Sequence, residues 1–351
     1  MIRLLLCCFL LLGSGALVAQ RPGYVTVLLY HRFAEPQYAS TNVSVQHFRS
    51  QLTYLRDEGY QVLSLSDLRR LYAAGGPFPQ KAVLITIDDA HRSIYQHGFP
   101  ILKEFGYPFV LFPNVKPLSS GAKAHMNWEM IEEMRQYGAE IGNHTYSHAY
   151  IGRPRSGQNR QQYATWVRQE IEQAQRELQA HGIDTDVLAY PYGEYNSIVI
   201  DEAQKLGFKL MFTQDEGGVD AASAAALLPR VAVVGANLDL PRFIYKLNLA
   251  PLHLSELIPE GDFLWRNPPD SLAVRLADPG RYNPGVVNMF VSEWGRVEAV
   301  YEAQTGRLVY KPVKEMSRAG NRLIVTAREL DSAHYSMFSR LYFLPFEDLA
   351  R

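Results

Sequence analysis

The sequence predicts an α/β domain followed by a small all-β domain, on two observations. Between residues 24 and 250, strand-forming runs alternate with helix-like segments. About seven such runs imply a parallel sheet or an α/β barrel. Near residue 262 the pattern changes to short strand-like runs separated by glycines, which reads as a sandwich-like β domain over 262–346.

The elements follow in chain order. Tyr24 to Tyr30 is an apolar run of strand length. Ser44 can cap a helix with Phe48, Leu52 and Leu55 on one face, stopped by Gly59. Ser66 can cap a second short helix. Ala82 to Ile87 and Pro108 to Phe112 are strands, and Trp128 to Tyr137 is a helix ended by Gly138. Ala139 to Gly142 leads into His144. Tyr163, Val167, Ile171, Ala174 and Leu178 mark one face of a long helix closed by Gly182. Val187 to Tyr190, Lys209 to Thr213 and Leu228 to Val234 complete the α/β part. In the β domain the runs are 286–291, 297–301, 307–310, 321–327 and 337–344.

The first residues read as a secretory signal peptide over 1–19: Arg3, an apolar core from Leu4 to Leu12, then small residues. Cleavage after Ala16 fits the small-x-small rule; cleavage after Ala19 places Leu17 where a small side chain is preferred. An uncleaved anchor is the alternative. Both cysteines, Cys7 and Cys8, lie in this segment, so the mature chain would offer no disulfide and no thiolate. The expected location is secreted or periplasmic, with no transmembrane segment after cleavage. Hydrophobic residues make up 47% and charged residues 20%, ordinary for a folded protein. A net charge of −1 provides no basic field for nucleic acid or an anionic membrane.

Candidate chemistry falls at strand ends, where α/β folds collect functional groups. Asp88 and Asp89 close the Ala82–Ile87 run. His144 and His148 are four apart after Ala139–Gly142, and Pro191-Tyr192-Gly193 follows Val187–Tyr190. Two carboxylates and two histidines can supply three metal ligands and a spare base, the equipment for hydrolysing an amide with a metal-bound water. Singly, each has a plainer reading: a helix cap, a chance spacing, a turn.

Thr86-Ile87-Asp88-Asp89, His144-Thr145-Tyr146-Ser147-His148 and Ala189-Tyr190-Pro191-Tyr192-Gly193 resemble the first three motifs of the polysaccharide deacetylases, the NodB-homology or carbohydrate esterase 4 family. The resemblance covers roughly residues 24–235. Tyr30-His31-Arg32 and the Tyr-Pro-Tyr-Gly form of the third motif place the nearest subgroup among secreted poly-N-acetylglucosamine deacetylases. It implies a deformed (β/α) barrel of the NodB-homology type. It also implies a divalent metal, usually zinc, on Asp89, His144 and His148, with Asp88 as general base. The Tyr192 N–H would complete an oxyanion site, held by Pro191. The implied reaction removes N-acetyl groups from an N-acetylhexosamine polysaccharide.

Two departures bear on that mechanism. Many family members carry an arginine two positions before the motif-three proline, where this chain has Ala189; Arg230 could supply the charge from a later strand. The family's late Leu-x-His motif, which supplies a general acid, is not evident. His31 and His91 are candidate proton donors or supports of a metal ligand, and His253 is a third candidate. Trp128, Tyr190, Tyr146, Tyr195 and Phe112 are candidate stacking walls for sugar rings, or core. Arg153, Arg155 and Arg160 form a basic loop. The rival functions are a metal amidase on another N-acyl or C–N substrate and a non-catalytic glycan-binding protein of the same fold.

Overall fold

The computed structural model describes residues 22–235, 238–330 and 332–346; the N-terminal apolar segment lies outside them. Besides a two-residue parallel pair, Arg32–Phe33 with Asn42–Val43, eight parallel strands among the described residues build the first domain: β1 Val25–Tyr30, β2 Gln61–Leu63, β3 Ala82–Asp88, β4 Phe109–Phe112, β5 Ala139–Ile141, β6 Val187–Ala189, β7 Leu210–Phe212 and β8 Val231–Ala232. β1 pairs with β3 along its whole length, from Val25↔Ala82 to Tyr30↔Ile87, and carries β8 on its other edge. β2 lies beside the first half of β3, and β4 beside the second half. β5 continues from β4. β6 and β7 pair with each other. One bridge, Asn143↔Leu188, joins them to β5, and another, Phe212↔Leu228, leads to β8.

Seven strands therefore close a ring, with β2 as an insertion: a deformed (β/α) barrel. Every residue of β1 and β3 is buried, as expected of parallel strands covered on both faces. β2 is the strand that sequence patterning misses, because three residues starting with exposed Gln61 are too short to show a period.

The helices follow the predicted faces. Ser44 caps Val45–Asp57, which buries Phe48, Leu52 and Leu55. The second helix, Leu65–Ala74, is capped by Ser64 rather than Ser66. Ser64 completes a capping box with Asp67, while the Ser66 hydroxyl donates to Glu140 of β5. Asn127 caps Trp128–Gln136. Asn159 caps Arg160–Ala180, whose inner face carries Tyr163, Val167, Ile171, Ala174 and Leu178.

The rest of the chain forms two facing antiparallel-rich sheets. In order, one contains Leu249–Pro251, Tyr335–Phe343, Gly320–Glu329, Tyr282–Val291 and Gly295–Val297. The other contains Leu254–Ile258, Leu272–Leu276, Arg307–Tyr310 and Val300–Glu302. Val274, Met289, Leu308 and Val325 fill the space between them. The run 297–301 is thus not one strand but two, ending one sheet and starting the other. Residues 249–258, ahead of the compositional change near 262, already pair with β-domain strands.

Candidate metal centre and its surroundings

β3 delivers Asp88 at its last position, fully buried. The chain then turns left-handed at Asp89 (φ 73°) and Ala90 (φ 55°). Alternation along a strand would send neighbouring side chains to opposite faces. The turn instead brings both carboxylates to one place: His144 Nε2 is 3.7 Å from Asp88 Oδ2 and 3.7 Å from Asp89 Oδ1.

β5 delivers the histidines through a close approach. A Cβ on Gly142 would sit 2.1 Å from the Phe112 ring, so only glycine passes there. Asn143 then ties the turn, accepting from the Thr145 N–H at 2.8 Å and donating to the Ile171 carbonyl at 3.1 Å. His144 Nδ1 lies 2.7 Å from the Ala189 carbonyl, which leaves Nε2 facing the carboxylates. His148 Nε2 is 3.1 Å from Asp89 Oδ1. Thr145 and His148 also have positive φ, 63° and 55°. Left-handed non-glycine residues cost about 1–3 kcal/mol each and persist where surroundings over-determine them. Four of the six described positive-φ non-glycines fall in the three motifs, Tyr192 (φ 58°) being the fourth, and Ala90 directly follows the first motif.

Ligand atoms of Asp89, His144 and His148 lie within 4.8 Å of one another. His144 Nε2 is buried without a hydrogen-bond partner among the described residues, and Asp89 Oδ1, buried beside it, has the His148 ring nitrogen as its neighbour. Buried polar atoms are rarely left unpartnered, and a ring nitrogen aimed at a carboxylate shared with a second histidine fits a cation. Two imidazoles and one carboxylate suit zinc or another divalent ion with positions left open. Burial depresses the His144 imidazole to about 4, so it is neutral, as a ligand must be.

Asp88 has a different partner. Arg230, fully buried just before β8, donates from Nη1 to Asp88 Oδ1 at 2.7 Å and from Nη2 to Oδ2 at 2.8 Å. Its Nε donates to the Thr213 carbonyl at 2.8 Å. Burial would raise the Asp88 carboxyl, but the Arg230 charge, its hydrogen bonds and the nearby His144 and His31 together outweigh it and hold the group below its usual range. The guanidinium thus stands beside Asp88 although position 189 is alanine.

The remaining sequence candidates divide. His91, buried, has Nε2 at 3.2 Å from Asp89 Oδ2, and its ring lies against His125. His31 is half-buried among Asp88, Asp89 and His91, and burial lowers its imidazole. Tyr192, 38% exposed, meets His148 edge-on at 4.5 Å. Pro191 is buried beneath it.

Others are corrections. Tyr190 is core, its hydroxyl donating to the Ala226 carbonyl at 3.0 Å, because the turn directly after β6 points it into the packed layer. Tyr195 and Phe112 are likewise fully buried. Trp128 stacks on His181 at 3.8 Å between centroids, because its helix starts beside the end of Arg160–Ala180 rather than at the cluster. Tyr146 packs on the main core. His253 pairs with Asp220 at 2.7 Å and is not brought to the cluster. Arg153 pairs with Glu194, and Arg155 lies over Trp166.

Sequence reasoning missed Glu170. Buried on the inner face of Arg160–Ala180, it accepts from the Ser147 N–H at 2.9 Å and the Ser147 hydroxyl at 2.8 Å, fixing the histidine turn. The signal was an acid three residues after Val167, beside the apolar stripe. Asn143 was visible only as the residue before His144.

The β domain also reaches this end of the barrel. Arg322 donates from Nη2 to the Gly193 carbonyl at 3.2 Å and from Nε to Asp215 Oδ1 at 2.8 Å. The other Asp215 oxygen accepts from the Tyr195 hydroxyl at 2.5 Å. Asp262 accepts from the Ser197 N–H at 2.6 Å and from Arg340. Gly193 (φ 64°) has no room for a side chain, since a Cβ would lie 2.5 Å from that of Gln214. Arg322→Ala is expected to cost about 1–3 kcal/mol, the penalty for leaving a buried acceptor short of a donor. Urea denaturation checks this; an unchanged midpoint would mean the Asp215 contact is energetically idle.

The fold and site thus define a parallel (β/α) barrel with a carboxylate–histidine cluster at the strand ends. Residues 75–211 match the family model described as polysaccharide deacetylase, and the chain carries a polysaccharide deacetylase domain of the NodB-homology type. It is 29% identical to the poly-β-1,6-N-acetyl-D-glucosamine N-deacetylase of Escherichia coli, over 66% of this chain and 40% of that one, so the match spans less than half of that enzyme. It is 23% identical to the enzyme of the same name from Staphylococcus aureus, over 61% and 75%. Among solved structures, IcaB from Ammonifex degensii superposes with a TM-score of 0.55 at 26% identity, over 64% of this chain and 97% of that one. The Streptococcus pyogenes deacetylase PplD in complex with acetate gives 0.58 at 24% identity, over 65% and 99%, which speaks to the fold alone.

Proposed function

We propose that this protein is a metal-dependent polysaccharide N-deacetylase acting on an N-acetylhexosamine polymer of the poly-N-acetylglucosamine kind. The observation that carries the reading is the arrangement of the two aspartates: Asp89 shares a three-ligand cluster with His144 and His148, while Asp88 is held apart by Arg230. The names of the relatives support the substrate class. The apolar segment Leu4–Leu12 supports export. Among the described residues no helix is long and apolar enough to cross a membrane.

Asp89, His144 and His148 would hold a divalent ion, for which zinc suits the donor set. Such an ion supplies Lewis acidity and makes hydroxide available near neutral pH. Asp88 takes a proton from the attacking water. Arg230 fixes the Asp88 carboxylate in position and keeps it ionised. Oxygen adds to the acetyl carbon, the C–N bond breaks, and the amine nitrogen gains a proton, giving acetate and a free amine. Of the histidines outside the ligand set, His91, 3.2 Å from Asp89, and His31, beside Asp88 and Asp89, are assigned that last transfer. The Tyr192 backbone, held by buried Pro191 and by the Arg322 contact at Gly193, is assigned the oxyanion.

The test is acetate release from β-1,6-linked N-acetylglucosamine oligomers by the metal-loaded chain, beside Asp88→Asn. The variant should retain metal and lose about 10²–10⁴-fold in kcat, the range of a general base. No release by the parent on β-1,6 or β-1,4 oligomers would overturn the substrate class.

A further inference from the structure

Three exposed large aromatic side chains, Tyr192, Tyr150 and Trp265, are joined by a chain of packed contacts that starts at the candidate site. Tyr150 is 49% exposed and lies flat on Tyr192, with centroids 3.8 Å apart and planes at 12°. Trp265, on the β domain, is 63% exposed. A continuous chain of contacts links them. The Arg153 guanidinium lies 5.1 Å from the Tyr150 ring and 6.0 Å from that of Phe343. Phe343 meets Phe263 at 6.4 Å, and Phe263 meets Trp265 at 5.7 Å. The loop between lies directly on this row, for a Cβ on Gly152 would be 2.9 Å from Phe343. Glu194 pairs with Arg153, so the row carries no uncompensated cation here.

We propose that Tyr150 with Tyr192, and Trp265 beyond them, are stacking subsites for separate rings of one neutral N-acetylhexosamine chain, so that the β domain binds substrate. This rests on the deacetylase reading and extends it. The face of a pyranose ring is apolar, and an aromatic face covers it without requiring charge. A single exposed aromatic needs no explanation, but this row is contiguous and begins against His148, a member of the metal cluster. A polymer held at the cluster must leave it in some direction. The Tyr150 pair is the exposed aromatic surface in contact with the cluster, and Trp265 is the next one along the packed row.

The experiment compares dimers and hexamers of N-acetylglucosamine on the full, metal-loaded chain, for the parent, Trp265→Ala and Tyr150→Ala. Both side chains are exposed, so neither variant removes core. Trp265→Ala should lower the hexamer-to-dimer ratio of kcat/KM about 2–10-fold, the worth of one aromatic contact. Tyr150→Ala should raise KM for both lengths. A Trp265→Ala ratio equal to the parent's overturns the proposal while leaving the deacetylase reading intact. If the parent releases no acetate, that reading fails, and calorimetric binding of the hexamer decides the inference. Hexamer binding weakened by Trp265→Ala upholds the subsite; no hexamer binding by the parent overturns it.

Discussion

Replacing Arg230 with methionine is expected to destabilise the fold by about 3–5 kcal/mol, the cost of stripping one partner from a buried ion pair. Both side chains are fully shielded from solvent, and both carboxylate oxygens of Asp88 accept from the guanidinium. Methionine fills much of the volume and supplies no donor. The Thr213 carbonyl would also lose its contact with Nε. Asp88 would then relieve its burial by taking up a proton, so turnover should fall along with stability. The double variant Asp88→Asn/Arg230→Met should be less destabilised than Arg230→Met alone, because the uncompensated charge is gone. Urea denaturation of the four proteins closes the cycle. An Arg230→Met protein within about 1 kcal/mol of the parent would show that the pair is not what keeps Asp88 ionised.

His148→Ala should remove a ligand outright. Changes to groups that merely support a ligand cost about 10–100-fold in metal affinity, so loss of the ligand should exceed that range. Zinc added to the metal-free parent should raise its melting temperature; at a hundredfold excess over Kd the stabilisation is about 2.7 kcal/mol. The variant should lose most of that rise at the same zinc concentration. Asp88→Asn should keep it. Equal zinc-induced shifts in His148→Ala and parent would remove His148 from the ligand set and leave the Asp89–His144 pair too small to hold an ion alone.

How far the sequence could be read depended on the range of the interaction. The strands of the ring and the faces of Val45–Asp57 and Arg160–Ala180 rest on local periodicity and caps, and these were visible. Asp88, Asp89, His144 and His148 were legible because they sit at strand ends in compact motifs. Arg230 stood out only as a charge near a strand start; its pairing spans 142 residues of chain and emerges from barrel closure. Tyr190 and Trp128 misled because an aromatic beside a motif has the same composition whether it faces sugar or core. Their direction is set by packing against Ala226 and His181, which no local pattern records. Arg322 was invisible for the same reason: its partners, Gly193 and Asp215, belong to another domain.

The β6–β7 pair has one further consequence. Elsewhere the ring is joined by ladders of two to six residue pairs, but this pair joins β5 and the segment before β8 by one bridge on each side. It is a leaf with short hinges, and local opening follows the least-laced segment of a structure. The β domain clasps that leaf at its outer end, through Arg322 on Gly193 and Asp262 on Ser197. The rigidity of the third motif is therefore borrowed from the neighbouring domain. Swinging the leaf outward means breaking the clasp first, which couples the two domains into one cooperative unit at the point where the chemistry is assigned.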